Sequence, residues 1–193
     1  RGGKTEDDAL DNVLAFAKRY THAVDVADTE LGPLTRASLE IVERLKGNAT
    51  TDFGAPGVVP DLDRAPVDEA RLQELIGLLR ATWDTFDKVA AGARGKVLGP
   101  SGPRGGGRTL DKMVAHVADA QAAYVNAIGG SWREGAPWAD TKREFERLLP
   151  LRARGELPDV GPRGGKRWPA TYAIRRSAWH ALDHAWEIED RLG

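Results

Sequence analysis

The chain has 193 residues, 41% hydrophobic and 30% charged, with a net charge of −1. That balance excludes a global basic field for nucleic acid or anionic lipid, and no apolar run approaches the roughly 20 residues of a membrane span. Cysteine is absent, which removes disulfides, thiolate ligands and a cysteine nucleophile and suits a cytoplasmic protein.

The stretch "TEDDALDNVLAFAKRY" predicts a helix. Thr5 is its N-cap, Asp7 and Asp8 lie in the first turn, and Leu10, Val13, Leu14, Ala17 and Tyr20 recur at helical spacing. His22, just beyond, reads as an exposed histidine. Residues 38–47, "SLEIVERLKG", alternate instead. Leu39, Ile41 and Leu45 share one face and Glu40, Val42 and Arg44 the other, which predicts a strand. Helix and strand together make a small α/β module over residues 1–48. A lone strand is not a sheet, so its expected partner is a strand upstream of Arg1 or one across a homodimer. The first residue is Arg1 rather than methionine, and the expectation is that native sequence precedes it. A stretch rich in Gly, Pro and Asp follows, and residues 49–66 are expected to be a linker.

Beyond the linker the pattern is helical. Helices are predicted over about 67–91, 110–129, 138–153 and 169–192. The first carries Leu72, Leu75, Ile76, Leu79, Trp83, Phe86 and Val89 in one stripe; the second carries Leu110, Met113, Val117, Ala120, Tyr124 and Ile128 behind Thr109 as N-cap. Pro150 in the third predicts a kink or an early stop, and Pro169 suits the first turn of the fourth. Four amphipathic helices in succession predict a mainly α fold, a four-helix bundle over residues 67–193. Two Gly-rich basic loops, 99–108 and 161–167, read as connectors. The first precedes the second bundle helix, so its Arg104 and Arg108 are candidates for a lid contacting an anionic ligand. Tyr172, Trp179 and Trp186 lie away from the apolar centre of the last helix. They are expected to pack on the N-terminal module or a long loop.

Two of the four histidines, His180 and His184, stand one helical turn apart in "RRSAWHALDHAWEIEDR". On a helical wheel both flank the buried face centred on Ile174, Ala181 and Ile188. Side chains at i and i+4 lie close enough to converge on one ion, and neutral imidazole is a good ligand for zinc, nickel, iron or copper. His116 also points inward, and its depth in its helix matches that of His184 if the two helices are antiparallel. The three histidines are therefore a candidate metal site. Asp119 and Asp183 are candidates to orient a ligand imidazole by accepting a hydrogen bond from its outer nitrogen. Glu187 is a candidate ligand, base, or partner of Arg176 or Arg191, and spacing does not choose among these.

"LDKMVAHVADAQAAY" and, far downstream, "AWHALDHAWEIEDR" resemble the DinB-like superfamily. The resemblance implies an up-down-down-up four-helix bundle with a crossover between its second and third helices. It also implies a divalent metal (zinc, nickel or iron) held by His116, His180 and His184. Characterised members of that superfamily include metal-dependent transferases and isomerases that use low-molecular-weight thiols. The implied function is thus a metal-dependent thiol transferase or isomerase acting on a small molecule. The alternative is a non-catalytic small-molecule-binding or structural protein. "GGKTEDDALDNVLAFAKRY" is similar to the strand-to-helix segment of HicB-like domains, over some 20 residues only and without the strands that precede it there.

Overall fold

The computed structural model describes residues 3–24, 34–52, 54–100, 107–133 and 135–192. The protein is mainly helical. Its elements are α1 (Glu6–Val24), a single turn α2 (Ala49–Asp52), α3 (Glu69–Ala93), α4 (Leu110–Ala127), α5 (Trp138–Ala153) and α6 (Ala170–Leu192), with 3-10 turns at Arg36–Ser38 and Asp61–Arg64. Local chemistry explains where the helices start. The Asp8 amide donates to Thr5 Oγ1 at 3.1 Å while the Thr5 amide donates to Asp8 Oδ2 at 3.2 Å, closing a reciprocal cap at α1. Asp68 caps α3 through the Arg71 amide at 2.7 Å, and Thr109 caps α4 through the Lys112 amide.

Helices α3, α4, α5 and α6 share one apolar core. Leu79, Trp83 and Phe86 of α3 meet Met113, Val117 and Val125 of α4, Phe145 and Leu149 of α5, and Ala173, Ala181 and Ile188 of α6. Trp83 stands edge-on to Trp138 and to Phe145, with ring centroids 6.0 and 6.2 Å apart. Its Nε1 donates to Ser177 Oγ at 3.1 Å, and that hydroxyl donates to Gln121 Oε1 at 2.6 Å, which ties α3, α6 and α4 at mid-height.

Contacts along the helices give their directions. Asp63, just before α3, meets Thr171 and Arg175 at the start of α6, whereas Gly99, just after α3, meets Arg191 at its end. So α3 and α6 run the same way. The end of α4 meets the approach to α6, where the Trp168 amide donates to the Ala127 carbonyl at 2.9 Å, and its N-cap region meets Arg191. α4 is therefore antiparallel to α6. Asp87 of α3 takes Trp138 and Lys142 of α5, and Arg80 takes Glu146, so α5 is antiparallel to α3. Parallel α4 and α5 require the chain to return along α4 between them. It does so through contacts of Trp132 with Asn126 and of the Gly135 amide with Asp119 Oδ1 at 3.0 Å.

Several sequence expectations fail here. Residues 39–48 form no strand, and among the described residues there is no strand at all. Backbone groups in a strand need a neighbouring ladder, and among the described residues no second strand pairs with this segment. Ile41, Val42 and Leu45 stay exposed and Leu39 is only half-buried, so the apolar alternation forms no buried face. Side chains hold the segment instead. Arg44 grips Glu6 through Nε at 2.8 Å and Nη2 at 3.0 Å, and Glu43 accepts from the Asp61 amide at 3.1 Å. Among its described residues the expected α/β module is thus a helix and an irregular segment. Residues 49–66 are likewise more than a linker. The Tyr172 hydroxyl donates to the Pro56 carbonyl at 2.7 Å, Thr171 Oγ1 to the Asp63 carbonyl at 2.7 Å, and Arg175 pairs with the buried Asp63 carboxylate at 2.6 Å. Burial holds that carboxyl above its ordinary value, against the pull of Arg175. Pro150 causes no early stop, because it sits in the last turn and α5 runs on to Ala153. The second Gly-rich loop is an ordered turn: Val160 bridges to Lys166, and Gly164, with φ of 80°, donates to Gly161.

α1 lies across the flank of α6 that faces away from α4. Phe16 tilts against Trp186 at 5.3 Å, and Tyr20 packs with Leu182 and Ala23. Trp186 and Tyr172 thereby pack on the N-terminal helix and on the 49–66 segment, as the sequence suggests. Between α1, α3 and α6 runs an apolar groove of about 700 Å³, lined among others by Val13, Phe16, Leu75, Leu78, Ala178 and Trp179. Among the described residues no helix is long and apolar enough to cross a membrane.

Candidate metal centre

Antiparallel α4 and α6 bring the three histidines to one level. His116 Nε2 and His180 Nε2 lie 3.2 Å apart, and one ligand nitrogen from each of His116, His180 and His184 falls within 4.8 Å of the others. The rings stand edge-on, with centroids 4.7 to 5.1 Å apart. The spacing tests whether an ion fits. Nitrogens held tetrahedrally at about 2.0–2.1 Å from zinc sit roughly 3.3–3.4 Å from one another. The observed 3.2 Å is close to that, and the widest allowed pair must close in by up to about 1.4 Å. His116 is half-buried, whereas His180 and His184 are 7% and 8% exposed.

The electrostatics keep these rings neutral. Burial lowers the pKa of His180 to about 2, helped by His184, His116, Arg176 and Arg108. Burial also lowers His116 and His184, although Glu187 opposes the shift at His184. A neutral imidazole keeps one lone pair for a ligand. At His184 the tautomer is set by Glu187, whose Oε2 accepts from Nδ1 at 3.0 Å. Nε2 of His184 is then the nitrogen left to bind. The three histidines can therefore hold a metal ion.

The other residues singled out in the sequence divide. Glu187 is at the centre, and of its two candidate arginines it takes Arg191, whose Nη1 reaches Oε1 at 3.3 Å. Asp119 instead receives the Gly135 amide and anchors the return segment, while its charge still acts on His116. Asp183 lines the groove toward α1, and its charge acts on His184. Arg108 is exposed at the foot of α4, and its charge depresses all three histidines. Arg104 lies outside the described residues. Arg176, one turn before His180, stacks its guanidinium 4.9 Å from the Trp179 ring centroid and 5.9 Å from that of Tyr124. Tyr124 in turn stands 5.9 Å from the His180 ring. Sequence reasoning did not single out Gln121, the buried polar link to Ser177. A polar residue four positions from both Val117 and Val125 on an apolar stripe was the available signal. No family model, no curated protein and no solved structure matches the chain.

Proposed function

We propose that the chain is a DinB-like protein, an up-down-down-up four-helix bundle that binds one divalent metal through His116, His180 and His184. On this reading it is a metal-dependent transferase or isomerase that takes a low-molecular-weight thiol. The observation that carries it is the convergence of three neutral imidazoles from antiparallel α4 and α6. The helix directions described above support the same topology. Three protein ligands leave coordination positions for a substrate. When bound, a divalent ion supplies the Lewis acidity that lowers the pKa of a coordinated thiol or water. Glu187 holds His184 in its ligating tautomer. Arg108 and Arg176 place positive charge on two sides of the histidines, which favours an anionic ligand there.

Protein purified without chelator or nickel resin is expected to carry about one divalent ion per chain, measured by elemental analysis. His180→Ala should lose most of it, and a mutant with the parent's metal content would overturn the metal reading. Turnover of small electrophiles with a panel of thiols, with and without metal, tests the catalytic half. One observation favours a non-catalytic role: the 3.2 Å His116–His180 contact is also a satisfactory hydrogen bond between two imidazoles. A metal-free protein that keeps the parent's melting temperature, and shows no turnover when loaded, would select that second reading.

A further inference from the structure

The end of α6 carries a buried cation with an unusual set of partners. Arg191 is 8% exposed. Its Nε donates to the Gly99 carbonyl at 3.1 Å, and its Nη1 donates to the Arg108 carbonyl at 2.9 Å and to Glu187 Oε1 at 3.3 Å. Its own carbonyl accepts from the Gly99 amide at 2.7 Å. A Cβ on Gly99 would stand 3.2 Å from that carbonyl oxygen, so glycine permits the close approach. One side chain thus fastens both stems of the 99–108 segment, and it shares a carboxylate with the histidine that faces the metal position.

A cation at a helix C-terminus is favourable on general grounds, and a purely structural reading of Arg191 would end there. The shared carboxylate goes further. Glu187 uses Oε1 for Arg191 and Oε2 for His184, so the orientation of one contact constrains the other. We infer that Arg191 is a positioning residue that couples the stems of the 99–108 segment to the ligating imidazole of His184. Movement of Gly99 or Arg108 pulls the guanidinium, turns the Glu187 carboxylate and redirects the His184 ring. Linkage makes the coupling reciprocal: an ion that fixes His184 also fixes the stems. This rests on the metal reading above and gives a duty to Arg191, which that reading leaves unused.

The test uses the full chain and zinc alone. Zinc affinity is measured by competition with a chromophoric chelator for the parent, Arg191→Met and Arg191→Lys. Hydrogen exchange of peptides covering the two stems is followed with and without zinc. Arg191→Met is expected to weaken zinc about tenfold, the lower end for losing a residue that orients a metal ligand. It should also abolish the zinc-dependent protection of the stems, and Arg191→Lys should restore neither in full, because an ammonium cannot span three acceptors in the guanidinium's fork. Glu187→Gln breaks the same link from the other side and carries the test if Arg191→Met does not fold. A parent that binds zinc, beside mutants of unchanged affinity and unchanged stem protection, overturns this inference alone. A parent that binds no zinc overturns the metal reading, and the inference falls with it.

Discussion

The two flanks of α6 are built differently. Toward α4 they present His180, His184 and Ser177, each with polar partners of fixed geometry, over a core that includes Ala181 and Ile188. Toward α1 they present Leu182 and Trp186, which meet Phe16 and Tyr20 beside an open apolar groove. α1 adds ion pairs at its margins, such as Arg19 to Asp190 at 2.9 Å, but among its described residues only Ala23 is buried. One flank is specified by directional contacts. The other is held by area and surface charge, and such contacts open at lower cost.

That contrast can be broken by mutation. Phe145→Ala, in the shared core, is expected to cost about 3–5 kcal/mol in a denaturant titration. Phe16→Ala, on the α1 flank, should cost about 1 kcal/mol, as for one partly exposed aromatic pair. Equal costs would mean that α1 belongs to the same cooperative unit as the core. An effect of similar size comes from pH in metal-free protein. His180 is held far below its ordinary value of 6.5 when folded and returns to it when unfolded, so the unfolded state takes up the proton as pH falls. Its contribution is complete above about pH 6.5 and is lost as pH drops, by about 1 kcal/mol between pH 7 and 5.5 for one histidine that stays neutral. His180→Gln should flatten that slope, and an unchanged slope would show that the burial of His180 is not what titrates. The smallest effect is expected at the N-terminal tail. Arg44→Ala removes an exposed pair with Glu6 and should change stability by less than about 0.5 kcal/mol.

The same contrast governs how much could be read from sequence. His116, His180 and His184 were legible because helical spacing fixes direction and depth together, and two helices leave few ways to align. The starts of α1 and α4 were legible through Thr5 and Thr109, whose caps depend on neighbours three residues away. What failed depended on distant partners. The alternation of Leu39, Ile41 and Leu45 fits a strand, but strand formation is decided by a neighbour that local sequence does not name. Nothing around Asp63 announces that Arg175, 112 residues later, will bury it. Of the two arginines named for Glu187, Arg176 stands eleven residues away, about 16 Å along the helix, and only Arg191 at i+4 is within reach. What spacing does not announce is that Arg191 also reaches the Gly99 and Arg108 carbonyls, which only the fold brings there.

The parallel pairing of α3 with α6 also sets an order of events during synthesis. Trp83 meets Ser177 across 94 positions of chain. At the roughly 5–20 residues per second of translation, the apolar face of α3 waits about 5–20 s for its chief neighbour. α4 and α5 emerge in that interval and can shield only part of it. The nascent chain should therefore present an adhesive helix to chaperones until α6 leaves the ribosome. A ribosome-bound chain arrested before residue 170 should bind a holdase more strongly than one arrested well beyond the C-terminus through an added linker.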